Sequence, residues 1–421
     1  MNPPSSGNLP IRPLPLVEQY DCHGCGDCCY GTIIRLTPED YERIRKQRWE
    51  EHPDYRGVKI FVRAGLFGRQ HQLAKRGDGA CLFLTPERRC RIHGEFGPEA
   101  KPLICQMAPL QLVPLDQFAY LTVRRYCRSA VKDHGRPLAE HCRELGDLAE
   151  RNGAGPKPTR PPPIARGRPR PWKDTFRVTD ALGRLMLDRR YPLVRRLAHG
   201  LEFCGLLGSC RLGRLDGPRL SELVAMLEKG AVQEVGDLFA RPQPPGRQTM
   251  RLFRQTALEY LRLHPKFVPE RSWRERWRLV AAAVRFARGQ GPVPVFRLPF
   301  PRSTFEDLEA PLGHLDQAVG RPIEAYFETI TVSLRFAVLG RPGWSVVESF
   351  QALALSYAVA MWVLRLASAQ RRPTAEDAME AAMLLDRAQG YAPLVGRRHR
   401  FRVGVLGHRR ELARLAVWYA Q

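Results

Sequence analysis

Between residues 21 and 29 the chain reads Asp21-Cys22-His23-Gly24-Cys25-Gly26-Asp27-Cys28-Cys29, a C-x2-C-x2-C-C run. So dense a group of thiols leaves little room for regular structure and calls for a common partner for sulfur. A two-residue gap lets a tight turn aim both flanking thiolates at one ion, and glycines at 24 and 26 supply the backbone freedom such a turn needs. Thiolate ligands must be deprotonated, and a bound cation lowers their pKa enough to keep them so. Adjacent Cys28 and Cys29 would point to opposite sides of an extended backbone, so the run predicts one spare thiol or two centres.

A second group follows with Cys81, Cys90 and nearby His93, Cys105 and Cys127. Tetrahedral zinc or a cubane cluster takes four protein ligands, which one short segment seldom supplies alone. Cys22, Cys25, Cys28, Cys29, Cys81, Cys90, Cys105 and Cys127 are enough thiolates for two such sites. The first three spacings are those of a ferredoxin, which places an iron–sulfur cluster, 4Fe-4S first, ahead of zinc, with both kept open. The blander reading is a structural zinc or a set of buried free thiols. His93 has a workable C-x2-H spacing, but a turn histidine is the simpler account. Asp21 and Asp27 read as solvated turn carboxylates. Cys142 reads as a core residue of a helical stretch over 139–148, and Cys204 and Cys210 as buried thiols in the apolar segment 201–212.

The first twenty residues are rich in proline and hold no apolar run of signal-peptide length, so a cytoplasmic location is expected. Thiols stay reduced there, which favours metal ligation over disulfides for the eleven cysteines. The net charge of +24 is unevenly spread: residues 1–150 hold 22 Lys/Arg against 19 Asp/Glu, and the rest of the chain 45 against 24. The basic excess is mostly arginine and lacks interleaved aromatics, so nucleic acid is not the expected partner. Arginine runs at 189–196 and 271–278 read as solvated helix surface, with an acidic protein partner as the sharper alternative. Trp273 and Trp277, four apart, are expected to share a helix face and pack.

Residues 151–171 (RNGAGPKPTRPPPIARGRPRP) cannot continue a helix through their Pro-Pro-Pro run. The expected fold is therefore α+β: a small, loop-rich cysteine-cluster metal domain over 1–150, a Pro/Arg-rich linker over 151–172, and a mostly α-helical domain over 173–421. Upstream, Phe118–Val123 is strand-like, and Thr37-Pro38-Glu39-Asp40 predicts a helix start with Thr37 as cap. Downstream, helical apolar spacing runs through 220–239, 250–263, 273–287 and 374–387, with Ser221 and Thr374 as expected caps. Phe350–Leu364 is the most apolar stretch but falls short of the ~20 residues a bilayer requires, so it predicts a buried helix and no membrane span. No G-x-G-x-x-G, P-loop, H-E-x-x-H or G-x-S-x-G is present.

The run at 22–29, Cys81-Leu82-Phe83-Leu84 leading to Cys90-Arg91-Ile92-His93, and Lys101-Pro102-Leu103-Ile104-Cys105 resemble the CxxCxxCC cysteine-cluster family of zinc- or iron-chelating proteins. Its longer members resemble flagellin lysine N-methylases, with a cysteine domain followed by a helical region. The resemblance implies a metal centre and, for those longer members, S-adenosylmethionine-dependent methylation of a protein lysine. The chain departs from the family at His93, where an aromatic is common, and at Lys101-Pro102, where Arg-Pro is common. Methyl transfer would require a deprotonated lysine amine, and no catalytic base is legible. The alternative is a non-enzymatic metal-binding, iron-handling or redox accessory protein.

Overall fold

The structure is a computed structural model that describes residues 8–30, 32–64, 70–215, 217–267, 272–296, 298–313, 315–341, 343–369, 371–389 and 391–421. Short strands are confined to the amino-terminal region, and the remainder is mostly helical, an α+β arrangement. Strand Ile11–Pro13 pairs in parallel with Ala119–Val123, which pairs antiparallel with Leu110–Pro114. A second three-stranded sheet places Gln70–Leu73 between Arg35–Leu36 and Phe61–Ala64. Gln19–Tyr20 pairs with Arg136–Pro137, bringing the start of the cysteine run beside the segment that follows Cys127.

The helix Pro38–Arg45 starts as its sequence predicts. Thr37 accepts from the Asp40 N–H, and the Asp40 carboxylate accepts from the Thr37 N–H in return. Asp40 also accepts from the Leu103 N–H at 3.0 Å, so this cap fixes the short helix Leu103–Met107 that carries Cys105.

The helical region is built around Val346–Ser368, which is apolar on every side and buried along nearly its whole length. Helices Leu193–Ser209, Arg247–Leu261, Ala375–Arg387 and Glu411–Tyr419 pack against it. The expected buried helix is thus the central element of the core. Thr374 caps Ala375–Arg387 in a reciprocal box with Asp377. Ser221 caps nothing: the helix begins at Gly217, and the Ser221 hydroxyl donates to the Gly217 carbonyl one turn back.

The proline-rich stretch after Arg151 is irregular as far as Trp172, and it is anchored at Thr159 and at Pro163–Ile164 while much of the rest is exposed. Thr159 donates from its N–H to Leu115 O and from its hydroxyl to Pro114 O. Pro163 O accepts from the Val346 N–H, and Ile164 is buried in the helical core. It straps the edge of the first sheet to the start of the central helix. Val113, Leu115, Trp172 and Leu334 form a shared apolar cluster across the same junction.

One of the two expected solvated arginine faces is otherwise disposed in part, while Arg274, Arg276 and Arg278 of the other are exposed as expected. Arg196 is fully buried, pairing with Glu328 at 2.9 Å and with Glu324, while Arg189 reaches the same Glu328 at 3.1 Å. The acidic partner of that run lies within the chain. Trp273 and Trp277 do share a face of the helix Trp273–Arg288, but they do not pack: they are 67% and 64% exposed. The inner side of this helix is occupied by Ala282 and Phe286, which leaves the tryptophans outermost.

Candidate metal centre

Cys22 follows the strand Gln19–Tyr20 and is exposed. Gly24 and Gly26 both adopt left-handed φ, +64° and +70°. At Gly26 a Cβ would lie 2.7 Å from the Arg88 carbonyl oxygen, so both conformation and space demand glycine there. After Gly26 the chain turns through a 3-10 helix, Asp27–Cys29, instead of running extended. Cys28 and Cys29 therefore lie side by side on one turn, close enough for the Cys29 thiol to raise that of Cys28.

Backbone pairing then delivers the second group. The Cys81 N–H donates to Cys29 O at 2.8 Å, and isolated bridges join Tyr30 to Ala80, Lys75 to Cys81 and Leu84 to Cys90. Cys90 caps the helix Arg91–Phe96, Cys105 sits in Leu103–Met107, and Cys127 precedes Arg128–Val131. Cys29, Cys90 and Cys105 pack against one apolar cluster that includes Cys81, Phe83 and Leu84.

The thiols also bear on one another electrostatically. Burial pushes the Cys105 thiol up, and the neighbouring sulfurs of Cys81, Cys90 and Cys28 push it further. Cys127 is raised to about 12 by burial, with Cys28 and Cys25 among its neighbours, while the Ala130 and Ser129 N–H groups oppose the shift. Burial raises Cys81 to about 11. For Cys28 the adjacent Cys29 thiol is the largest cause of a strong upward shift, followed by burial. Cys28 is thus common to two neighbourhoods: Cys25 and Cys127 on one side, Cys81, Cys90 and Cys105 on the other. Among the described residues, no three Cys, His, Asp or Glu side chains stand at metal-holding distance. The cysteines are all free thiols.

All eight of these cysteines lie between Asp21 and Arg128, and that segment is where the chain has a known counterpart. Residues 21–128 match the CxxCxxCC family model. Its description is "Putative zinc- or iron-chelating domain". An uncharacterized protein of Methanocaldococcus jannaschii is 27% identical over 114 residues, 27% of this chain and 37% of that protein. The match therefore spans well under two thirds of the relative's length. No solved structure matches. The family description names chelation of zinc or iron and no methyl transfer.

The CxxCxxCC segment is also set in a basic surround that the cysteine pattern does not announce. Lys101 lies close enough to Cys28 and Cys105, and Lys75 to Cys81, to favour their thiolates. Lys101 stands where the family commonly has arginine, so the positive charge is kept. Asp27 is not a simply solvated carboxylate: it pairs with Arg88 and accepts from Arg128 Nε at 2.8 Å. Asp21 pairs with Arg136 at 3.2 Å. His93 is exposed on its short helix. The Tyr20 hydroxyl, close to Cys22, Cys127 and Cys28, is raised chiefly by burial. Neither Tyr20 nor Lys75 carries a spacing signal, and only the fold brings them to the thiols. Cys142 feels burial alone, as does fully buried Cys204, which places both outside this neighbourhood.

Proposed function

We propose that the protein holds a metal centre on the thiolates of Cys22, Cys25, Cys28, Cys29, Cys81, Cys90, Cys105 and Cys127, with an iron–sulfur cluster as the first reading and zinc as the alternative. The observation that carries this is the backbone pairing of Cys81 with Cys29 at 2.8 Å and the packing of Cys29, Cys81, Cys90 and Cys105 in one apolar cluster, thiols from distant stretches gathered beside one short turn. The donor set fits soft, sulfur-seeking metals. When bound, the metal would hold these sulfurs as thiolates against the burial that now keeps several protonated, and an iron–sulfur cluster would add one-electron chemistry. Lys75 and Lys101 offset part of the negative charge that such thiolates concentrate. The ferredoxin-like first three spacings support iron–sulfur over zinc.

S-adenosylmethionine-dependent methylation of a protein lysine draws no comparable support: the family description stops at chelation, and no residues present themselves as a base for the amine. A metal-handling or redox accessory role is therefore the reading carried forward.

Anaerobic purification of the full chain with metal and sulfide analysis tests the proposal. Broad visible absorption with bound iron and sulfide is the expected outcome; colourless protein with bound zinc would select the alternative. Cys28→Ser should lose metal and Cys142→Ser should keep it. Equal metal content in the two variants and the wild type would overturn the assignment.

A further inference from the structure

The helix Trp273–Arg288 is inverted relative to an ordinary surface helix. Its inner side carries Ala282 and Phe286, the latter edge-on to Phe305 at 5.1 Å between centroids. The outer side is also apolar: Trp273, Trp277, Val280 and Val284 are 67%, 64%, 51% and 44% exposed. With successive residues ~100° apart, these four fall on one narrow stripe roughly opposite Phe286. Arg274, Arg278 and Arg285 border the stripe on one side and Arg276 on the other. Arginines elsewhere in the helical region, such as Arg184, Arg254, Arg400 and Arg410, have carboxylate partners; these four have no ion pair among the described residues. The cap is formed by Ser272 with Glu275, whose side chain accepts from the Ser272 N–H.

We infer that this face docks on an anionic lipid surface. An exposed stripe of Trp and Val costs free energy in water and persists where a partner covers it. Charge complementarity identifies the partner: cations on both flanks of a convex apolar ridge match a helix lying in the membrane plane, with anionic headgroups on either side of it. Indole rings sit favourably at headgroup depth, apolar body inward and N–H outward, and long arginine stems reach back to the phosphates. At ~24 Å long the helix lies along a bilayer and does not cross it. The attachment is peripheral, and it is independent of the metal centre.

Vesicles of phosphatidylglycerol and phosphatidylcholine, compared with phosphatidylcholine alone, test this with the full-length protein. The wild type should co-sediment with the anionic vesicles, with blue-shifted tryptophan emission, and release as salt rises. Trp273→Ser with Trp277→Ser should weaken partitioning by at least about tenfold, and Arg274→Glu with Arg278→Glu and Arg285→Glu by about a hundredfold or more. These side chains point outward, so circular dichroism melts of both variants should match the wild type, which separates lost docking from lost folding. Failure to bind anionic vesicles, or equal binding by wild type and both variants, would overturn the inference. So would tryptophan-dependent self-association in lipid-free ultracentrifugation, or binding to polyglutamate with none to vesicles; these would assign the face to a second copy or to an acidic protein.

Discussion

Arg128 Nε donates to the Asp27 carboxylate at 2.8 Å, tying the residue between Cys25 and Cys28 to the residue immediately after Cys127. Arg128 also reaches Glu380 at 3.1 Å and pairs with Glu376, both on the helix Ala375–Arg387. One guanidinium therefore sets the first cysteine run, the last cysteine and the helical region against one another. Arg128→Ala should leave the thiols present but less well gathered. The expected cost is about tenfold in metal affinity, the scale for removing a group that orients ligands without touching the ion. Competition with a chelator measures it, and an unchanged affinity would show that Asp27 needs no such anchor.

Gly24 and Gly26 offer a paired comparison. Both have left-handed φ, but a Cβ at 24 meets nothing within 4 Å, whereas one at 26 strikes the Arg88 carbonyl. Gly24→Ala should cost only the conformational penalty, about 1–2 kcal/mol. Gly26→Ala should in addition displace the 85–90 turn and with it Cys90, so metal content should fall sharply in this variant alone. Equal metal retention in the two would mean the turn yields easily.

Asp386 is fully buried between two arginines far apart in the chain, Arg124 at 2.7 Å and the buried Arg335. Burial alone would raise its carboxyl, and the two guanidinium groups reverse that and hold it below the usual range. Asp386→Ala would strand both cations. A destabilisation of about 3–5 kcal/mol is expected from leaving buried charge unpaired. Chemical denaturation should read it as a shifted midpoint.

Acid should loosen the helical region through its buried histidines. Burial is the largest cause for all three: His199 and His264 are lowered to about 4 and His399 to about 3. Their folded pKa lies below the unfolded value near ~6.5, so the unfolded chain binds protons first as pH falls. Stability is full above that value and is lost progressively as pH falls from it to about 4 for His199 and His264 and to about 3 for His399. Thermal melts should show a falling midpoint across this window, and His399→Gln should flatten the dependence. A midpoint indifferent to pH between neutrality and 4 would count against neutral buried imidazoles.

The helical spans, the Thr37 and Thr374 caps and the buried central helix were all legible in the chain, because periodicity and capping are local properties. Three local expectations failed, the last two for non-local reasons. Ser221 lost its capping role because the helix begins a turn earlier at Gly217. Arg196 is buried because Glu324 and Glu328, far along the chain, supply the compensating charge. Trp273 and Trp277 share a face as their spacing requires, but Phe286 takes the inner side and turns them outward.

Sequence alone established that sulfur is concentrated in short glycine-bearing turns at one end of the chain, since ligand type and spacing are written residue by residue. Which sulfurs become neighbours was decided only by tertiary structure. The 3-10 turn at Asp27–Cys29 puts Cys28 and Cys29 together, and backbone pairing of Cys81 with Cys29 brings the second group to the first. Spacing along a chain constrains angles over a few residues; convergence over a hundred depends on hydrogen bonds and packing between segments that carry no mark of their partners.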